Sequence, residues 1–197
     1  MQPLLLAGPP GLGKTVYVKA MAQVLRVPHH EIDGATLTAG FALSGLDTGY
    51  TSGKAGQVWD ALQHECMSPC VTLDEIDKAP AQSAYPALGC LFALLETHSA
   101  QRFRDGAIGL AVDASWISWI ATCNDLAALD GALLSRFEIF HIAMPSTGEM
   151  AAVVDSVQRS LAATASWAGS FEPRLRENVA PSISWWGTLS TWAMALT

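Results

Sequence analysis

Near the N-terminus, eight residues do more than any others to limit what this chain can fold into. Gly8-Pro9-Pro10-Gly11-Leu12-Gly13-Lys14-Thr15 fits G-x-x-x-x-G-K-[ST]. A short apolar run, Pro3–Ala7, precedes it, and Lys14–Leu25 follows with Val16, Val18, Met21, Ala22 and Leu25 at helical spacing. A buried strand, a tight glycine turn and a helix in that order begin an α/β fold with a parallel sheet. The residue types suit phosphate. Glycines let several backbone N–H groups curl toward one anion, and the helix offers the same oxygens its positive N-terminus. In such a loop Lys14 reaches the β and γ phosphates and the Thr15 hydroxyl ligates Mg²⁺. A chance glycine turn before a helix leaves Lys14-Thr15 unexplained.

The rest of the chain continues the alternation. Pro28 closes the first helix. Strands are expected at His30–Asp33, Cys70–Leu73, Trp116–Thr122 and Ile139–Ala143, and helices at Gly56–Cys66, Ala84–Thr97, Leu126–Leu134 and Thr147–Ala163. Thr36–Gly56 is rich in Gly, Ser and Thr and reads as loop. Pro145 marks a boundary, beyond which Ser146 or Thr147 can cap a helix with Glu149 near its start. Residues 1–145 are therefore expected to form the α/β domain, 146–178 a small helical appendage, and 179–197 an uncharged, Trp-rich tail with Trp185, Trp186 and Trp192. That tail is barely long enough to cross a membrane and holds Pro181 and Gly187, which argues against a span.

Composition narrows the classes. Apolar residues make up 50% of the 197, enough for a packed core. A net charge of −7 disfavours a broad nucleic-acid-binding face. Cys66, Cys70, Cys90 and Cys123 follow no secretory signal and lack zinc-finger spacing, so they read as buried thiols of a cytoplasmic protein. The five histidines are scattered.

A second acidic motif separates hydrolases from other phosphate binders. Val71-Thr72-Leu73 is apolar and ends in Asp74-Glu75. Beside the first strand, Asp74 would hold the metal through water, and Glu75 would polarise an attacking water. Adjacent acids after a strand are otherwise solvated turn residues. Small-molecule kinases need no glutamate here, whereas NTP-hydrolysing machines do. Asn124, just after a strand, could contact the γ-phosphate or simply form a turn. Arg136 could be a surface ion pair, or an arginine finger that reaches a neighbour's γ-phosphate.

Taken together, Gly8–Thr15, Val71–Lys78, Ala121–Asp125 and Leu133–Glu138 resemble the AAA+ ATPases, over about Pro3 to Pro145. Within them the chain is most similar to the ATPase module of Lon-type proteases. Tyr50–Gly56 before a helix, Leu73–Lys78, the stretch from Leu94-Leu95-Glu96 through Phe103-Arg104-Asp105 to Asn124, and Leu133–Glu138 carry that likeness. The resemblance implies a P-loop sheet of five strands in the order 5-1-4-3-2 with helices on both faces. It makes Gly8–Thr15 the Walker A loop, Asp74 and Glu75 Walker B, Asn124 sensor 1 and Arg136 the arginine finger. Tyr50 falls at the substrate-gripping pore loop, though it could equally pack that loop down.

The implied protein is a homo-oligomeric ring, a hexamer by resemblance, that hydrolyses ATP with Mg²⁺ to unfold or remodel protein substrates. Two other functions remain: a non-hydrolysing nucleotide-binding fragment or regulatory subunit, and a nucleic-acid-linked motor. The match departs from the family in three places. Only two residues precede the first strand, no room is left for a Ser–Lys protease domain, and Arg174 and Arg176 form no recognisable sensor-2 motif.

Overall fold

The computed structural model describes residues 2–37, 39–51, 53–63, 66, 68–80 and 88–164. The expected tail at 179–197 and the arginines Arg174 and Arg176 lie outside them. The described residues divide into two compact units, one holding 2–8 and 13–142, the other 9–12 and 143–164.

The first unit runs β1 (Leu4–Ala7), α1 (Lys14–Leu25), β2 (His29–Asp33), α2 (Phe41–Ser44), α3 (Gln57–Leu62), β3 (Cys70–Asp74), α4 (Leu91–Leu94), α5 (Thr97–Ala100), β4 (Phe103–Arg104), β5 (Ala111–Val112), β6 (Ser118–Cys123), α6 (Gly131–Leu134) and β7 (Glu138–His141). Five strands form one parallel sheet in the order β2-β3-β6-β1-β7. Counting only those five, the order from the β7 edge is 5-1-4-3-2. The expectation lacked the antiparallel hairpin β4–β5, inserted before the fourth sheet strand.

Alternation along the strands splits the core between the two faces of the sheet. Leu5, Ala7, Val71, Leu73, Trp119, Ala121 and Cys123 belong to the larger cluster. Leu6, Cys70 and Ile120 form the smaller one with Val18 and Ala22 of α1. Helix α1 buries Lys14, Val18 and Ala22, three residues at a spacing of four, which fixes the face it turns to the sheet. Arg26 ends it in the left-handed region at φ 55°, and its N–H reaches the carbonyls of Ala22 and Gln23.

Several local expectations differ from what is seen. The segment read as loop contains α2, and the helix read from Gly56 is shorter, Gln57–Leu62. The single helix expected over 84–97 is, in its described part, a turn followed by α4 and α5, because Leu95 and the extended Glu96 separate them. Residues 81–87 lie outside the description. Leu126–Ala128 is a 3₁₀ turn distinct from α6.

In the second unit, α7 (Thr147–Thr164) begins with a reciprocal cap. Ser146 N and Oγ donate to Glu149 Oε2 at 2.8 and 2.6 Å, and Glu149 N returns to Ser146 Oγ at 3.4 Å.

Candidate active site

Because the sheet is parallel, the ends of β1, β3 and β6 open on one edge, where α/β proteins place their ligands. Chain geometry brings Gly8, Asp74, Glu75 and Asn124 there. Gly8 N donates to Cys123 O at 3.2 Å. A Cβ on Gly8 would lie 2.3 Å from Ile142 O, so only glycine fits where β1 leaves the sheet. Gly13 caps α1 at φ 75°, a backbone conformation that glycine adopts without strain. Of the intervening residues, Pro9, Pro10, Gly11 and Leu12 group with the second unit, and Gly11 also has a positive φ, 80°.

Lys14 is buried and donates from Nζ to Gly8 O at 2.7 Å and Asn124 Oδ1 at 2.9 Å. Burial pushes its ammonium below the ordinary lysine value, while Cys123, Glu75, Asp74 and Asp77 pull the other way. The Cys123 thiol is pushed up to about 11 by burial, so it is neutral near pH 7. Asn124 Nδ2 donates to Glu75 Oε1 at 3.0 Å. Asn124 thus touches both the phosphate-loop lysine and the candidate catalytic carboxylate.

Asp74 and Thr15 meet directly, with Thr15 Oγ1 donating to Asp74 Oδ1 at 2.7 Å. A hydroxyl and a carboxylate, both hard oxygen donors, match what Mg²⁺ takes from protein when phosphates and water fill the other positions. The residues present therefore fit that ion. Glu75 sits in the left-handed region at φ 49° and ψ 51°, unusual for a non-glycine residue. That turn takes the chain off β3 directly after Asp74.

Two residues missed by sequence reasoning hold this arrangement. Thr122, on β6, donates from Oγ1 to Asp74 Oδ1 at 2.6 Å and accepts from Glu75 N at 2.9 Å. Asp77 accepts from Asn124 N at 3.1 Å, and its side chain is only 1% exposed. Pairing β3 with β6 in parallel register, Leu73 against Ala121, was the signal that could have found Thr122. The remaining predicted residues lie elsewhere. Arg136 donates from Nη1 to Ala132 O at 2.7 Å and stacks over Phe92 at 5.0 Å from the ring centroid. Among the described residues it makes no hydrogen bond or ion pair with the Lys14–Glu75 group. Tyr50 is 66% exposed on the loop between α2 and α3.

A parallel sheet with a phosphate loop, an acidic strand end and a strand-end asparagine at one edge defines a P-loop nucleotide-binding protein. Residues 4–144 match the ATPase family associated with various cellular activities (AAA), and the chain belongs to that family. Over 148 aligned residues it is 34% identical to the peroxisomal Lon protease homolog 2 of Eremothecium gossypii, covering 71% of this chain and 15% of that protein. Lon protease 1 of Borreliella burgdorferi is 31% identical, with 71% and 17% covered. The chain spans between 13% and 20% of the length of these and similar curated relatives. Among solved structures, a closed-state Hsp104 with ATPγS and FITC casein superposes with a TM-score of 0.67 at 20% identity, covering 81% of this chain and 32% of that one. The Thermotoga maritima RuvB Holliday junction branch migration motor gives 0.55, also at 20% identity, with 82% and 44% covered. Both likenesses concern the fold.

Proposed function

We propose that this chain binds ATP with Mg²⁺, hydrolyses it to ADP and phosphate, and uses the cycle to remodel or unfold protein substrates as a homo-oligomeric ring. The observation that carries this reading is the connected group Gly8–Lys14–Asn124–Glu75, with Asp74 and Thr15 beside it. Lys14 offers its charge to the β and γ phosphates, and an incoming anion compensates the cost of burying it. Glu75 accepts a proton from, or orients, the attacking water, and Asn124 aims that carboxylate. Thr15, and Asp74 through water, would hold Mg²⁺, which when bound would neutralise charge on the transferring phosphoryl group. Arg136 acts on a neighbouring subunit's nucleotide, and Tyr50 grips the polypeptide. The glycine-rich support of Tyr50 suits a large, sequence-tolerant contact. Helix α7 starts the lid of residues 146–178, and a cytoplasmic location agrees with four cysteines that form no disulfide.

Phosphate release and fluorescent-nucleotide titration on wild type, Glu75→Gln and Lys14→Ala test the catalytic part. Glu75→Gln should keep nucleotide affinity and lose turnover by about 10²-fold or more. Lys14→Ala should lose binding. Equal turnover in wild type and Glu75→Gln would sink hydrolysis at this site and favour a nucleotide-binding subunit.

A further inference from the structure

Asp105 is a buried carboxylate, 1% exposed, that the nucleotide chemistry does not use. It follows β4 directly, at the turn of the β4–β5 hairpin. Its Oδ1 accepts from the hairpin's own Ala107 N and Ile108 N at 2.9 and 3.2 Å. Its Oδ2 accepts from Gly56 N at 2.7 Å, a contact 49 residues away in sequence. Gly56 is where the Tyr50 loop ends.

The start of that loop meets the same carboxylate. Gly45 leaves α2 at φ 78°, and a Cβ there would lie 2.3 and 2.5 Å from the two Asp105 oxygens. One residue before it, Ser44 O accepts from Gly106 N at 2.8 Å. The loop is then pinched by an antiparallel bridge, Leu46 N to Lys54 O at 2.9 Å, and turned at its tip by Tyr50 N to Asp47 O at 3.1 Å. A loop carrying Gly45, Gly49, Gly53 and Gly56 is thus tied to the hairpin at both ends, at Gly56 by the Asp105 side chain and at Ser44 by the backbone of the next hairpin residue, Gly106. A glycine-rich segment pays a high ordering entropy whenever it engages a ligand, and fixing its base beforehand lowers that cost.

We propose that Asp105 is a positioning residue: it latches the Tyr50 loop to the β4–β5 hairpin so that the two move as one block, and the grip of Tyr50 on an unfolded polypeptide depends on this latch. This rests on the assignment of Tyr50 as a substrate contact. Asn at 105 keeps the shape but turns one acceptor into a donor facing an N–H, so either the Gly56 bond that joins loop and hairpin or the Ala107 and Ile108 bonds that orient the carboxyl toward Gly56 must break.

The test is anisotropy of fluorescein-labelled casein in Mg·ATPγS, beside the affinity for a fluorescent ATP analogue, for wild type, Asp105→Asn, Tyr50→Ala and the double variant. Asp105→Asn and Tyr50→Ala should each weaken casein binding by roughly tenfold or more. Nucleotide affinity should stay within about twofold, since neither residue touches the Lys14–Glu75 group. The double variant should bind casein no more weakly than Tyr50→Ala alone, because the latch acts through Tyr50. Additive losses, or wild-type casein binding by Asp105→Asn beside a defective Tyr50→Ala, would overturn the latch and leave the Tyr50 assignment standing. Wild-type binding by Tyr50→Ala would overturn that assignment itself. Hydrogen exchange on the unaltered protein decides the matter if Asp105→Asn fails to fold. The Gly56 amide should then be protected like the amides of β6, and exchange at the rate of an open loop amide overturns the latch.

Discussion

Lys14 is the side chain in which binding and stability are most directly opposed. It is held by Gly8 O and Asn124 Oδ1 in a site that burial makes unfavourable to its charge. Its folded pKa therefore lies below the ordinary value of 10.5. Between that lowered value and 10.5 the unfolded chain binds more protons than the folded one, so the contribution of Lys14 to stability rises with pH across this window. Below the window it is constant. Urea unfolding of wild type and Lys14→Met without nucleotide, at pH 7.5 and near pH 10, should show wild type gaining relative to the variant as pH rises. Saturating ATP, whose phosphates favour the charged form, should shrink that gain. A difference independent of pH would mean that burial does not disfavour the charge.

This residue, with Thr15, Asp74 and Glu75, was legible in the sequence because its chemistry is written in consecutive letters. Thr122 and Asp77 were not, since their roles exist only after β3 and β6 lie side by side. Arg136 was legible as a residue type but not as a geometry. Nothing in Leu133–Glu138 says that the guanidinium rests on Phe92, some forty residues earlier.

Among the elements, the junction of β2 and β3 governs how accurately Glu75 is placed. Gly34 follows β2 directly, and a Cβ there would lie 2.5 Å from Glu75 O, 2.8 Å from Asp74 O and 2.9 Å from Glu75 C. All three atoms are backbone, so no side chain can swing aside. Gly34→Ala should therefore push the end of β3 away, costing about 1–3 kcal/mol of stability as an overpacked core site does. The displacement falls on Glu75 and not on Gly13–Thr15. Turnover should drop by at least about tenfold, while affinity for a fluorescent ATP analogue changes much less. Chemical denaturation with parallel phosphate-release assays would check this, and a loss of affinity as large as the loss of turnover would contradict it.

Element by element, legibility followed length and local signals. Helix α1 has a glycine turn before it, a repeating apolar face and Pro28 after it, and its limits agree with the sequence. Strands β1, β3 and β6 are mainly apolar, and their limits agree with the sequence to within two residues. The hairpin β4–β5 has two residues per strand, too few to show a period of two, and it is held by neighbours such as Asp105 that sequence proximity does not reveal. The four-residue helices α2 and α5 are likewise set by packing of Leu43 and Ala100 into the core, whereas α4 and α6 fall within longer helices expected at Ala84–Thr97 and Leu126–Leu134 and are cut short.

For the molecule as a whole, the decisive question is whether one chain completes its own site. Arg136 donates to Ala132 O and lies over Phe92, two contacts within its own subunit. Neither serves the nucleotide that Lys14 would hold. If the guanidinium leaves that position to serve a neighbour, each subunit contributes Glu75 to its own nucleotide and Arg136 to the next one. A heterologous, head-to-tail interface is what such sharing requires. Glu75→Gln and Arg136→Ala chains should each be inactive alone, by about 10³-fold for the arginine. Mixed in equal amounts, they should regain activity. An Arg136→Ala chain beside a Glu75→Gln chain has an intact Glu75 in its own site and receives an intact Arg136 from its partner. With random assembly, the share of sites so completed is roughly one half times one half, about a quarter. The recovered rate should rise with total protein concentration and vanish on dilution. An arginine acting within its own chain gives no recovery at any ratio, because neither variant then has both groups at one nucleotide.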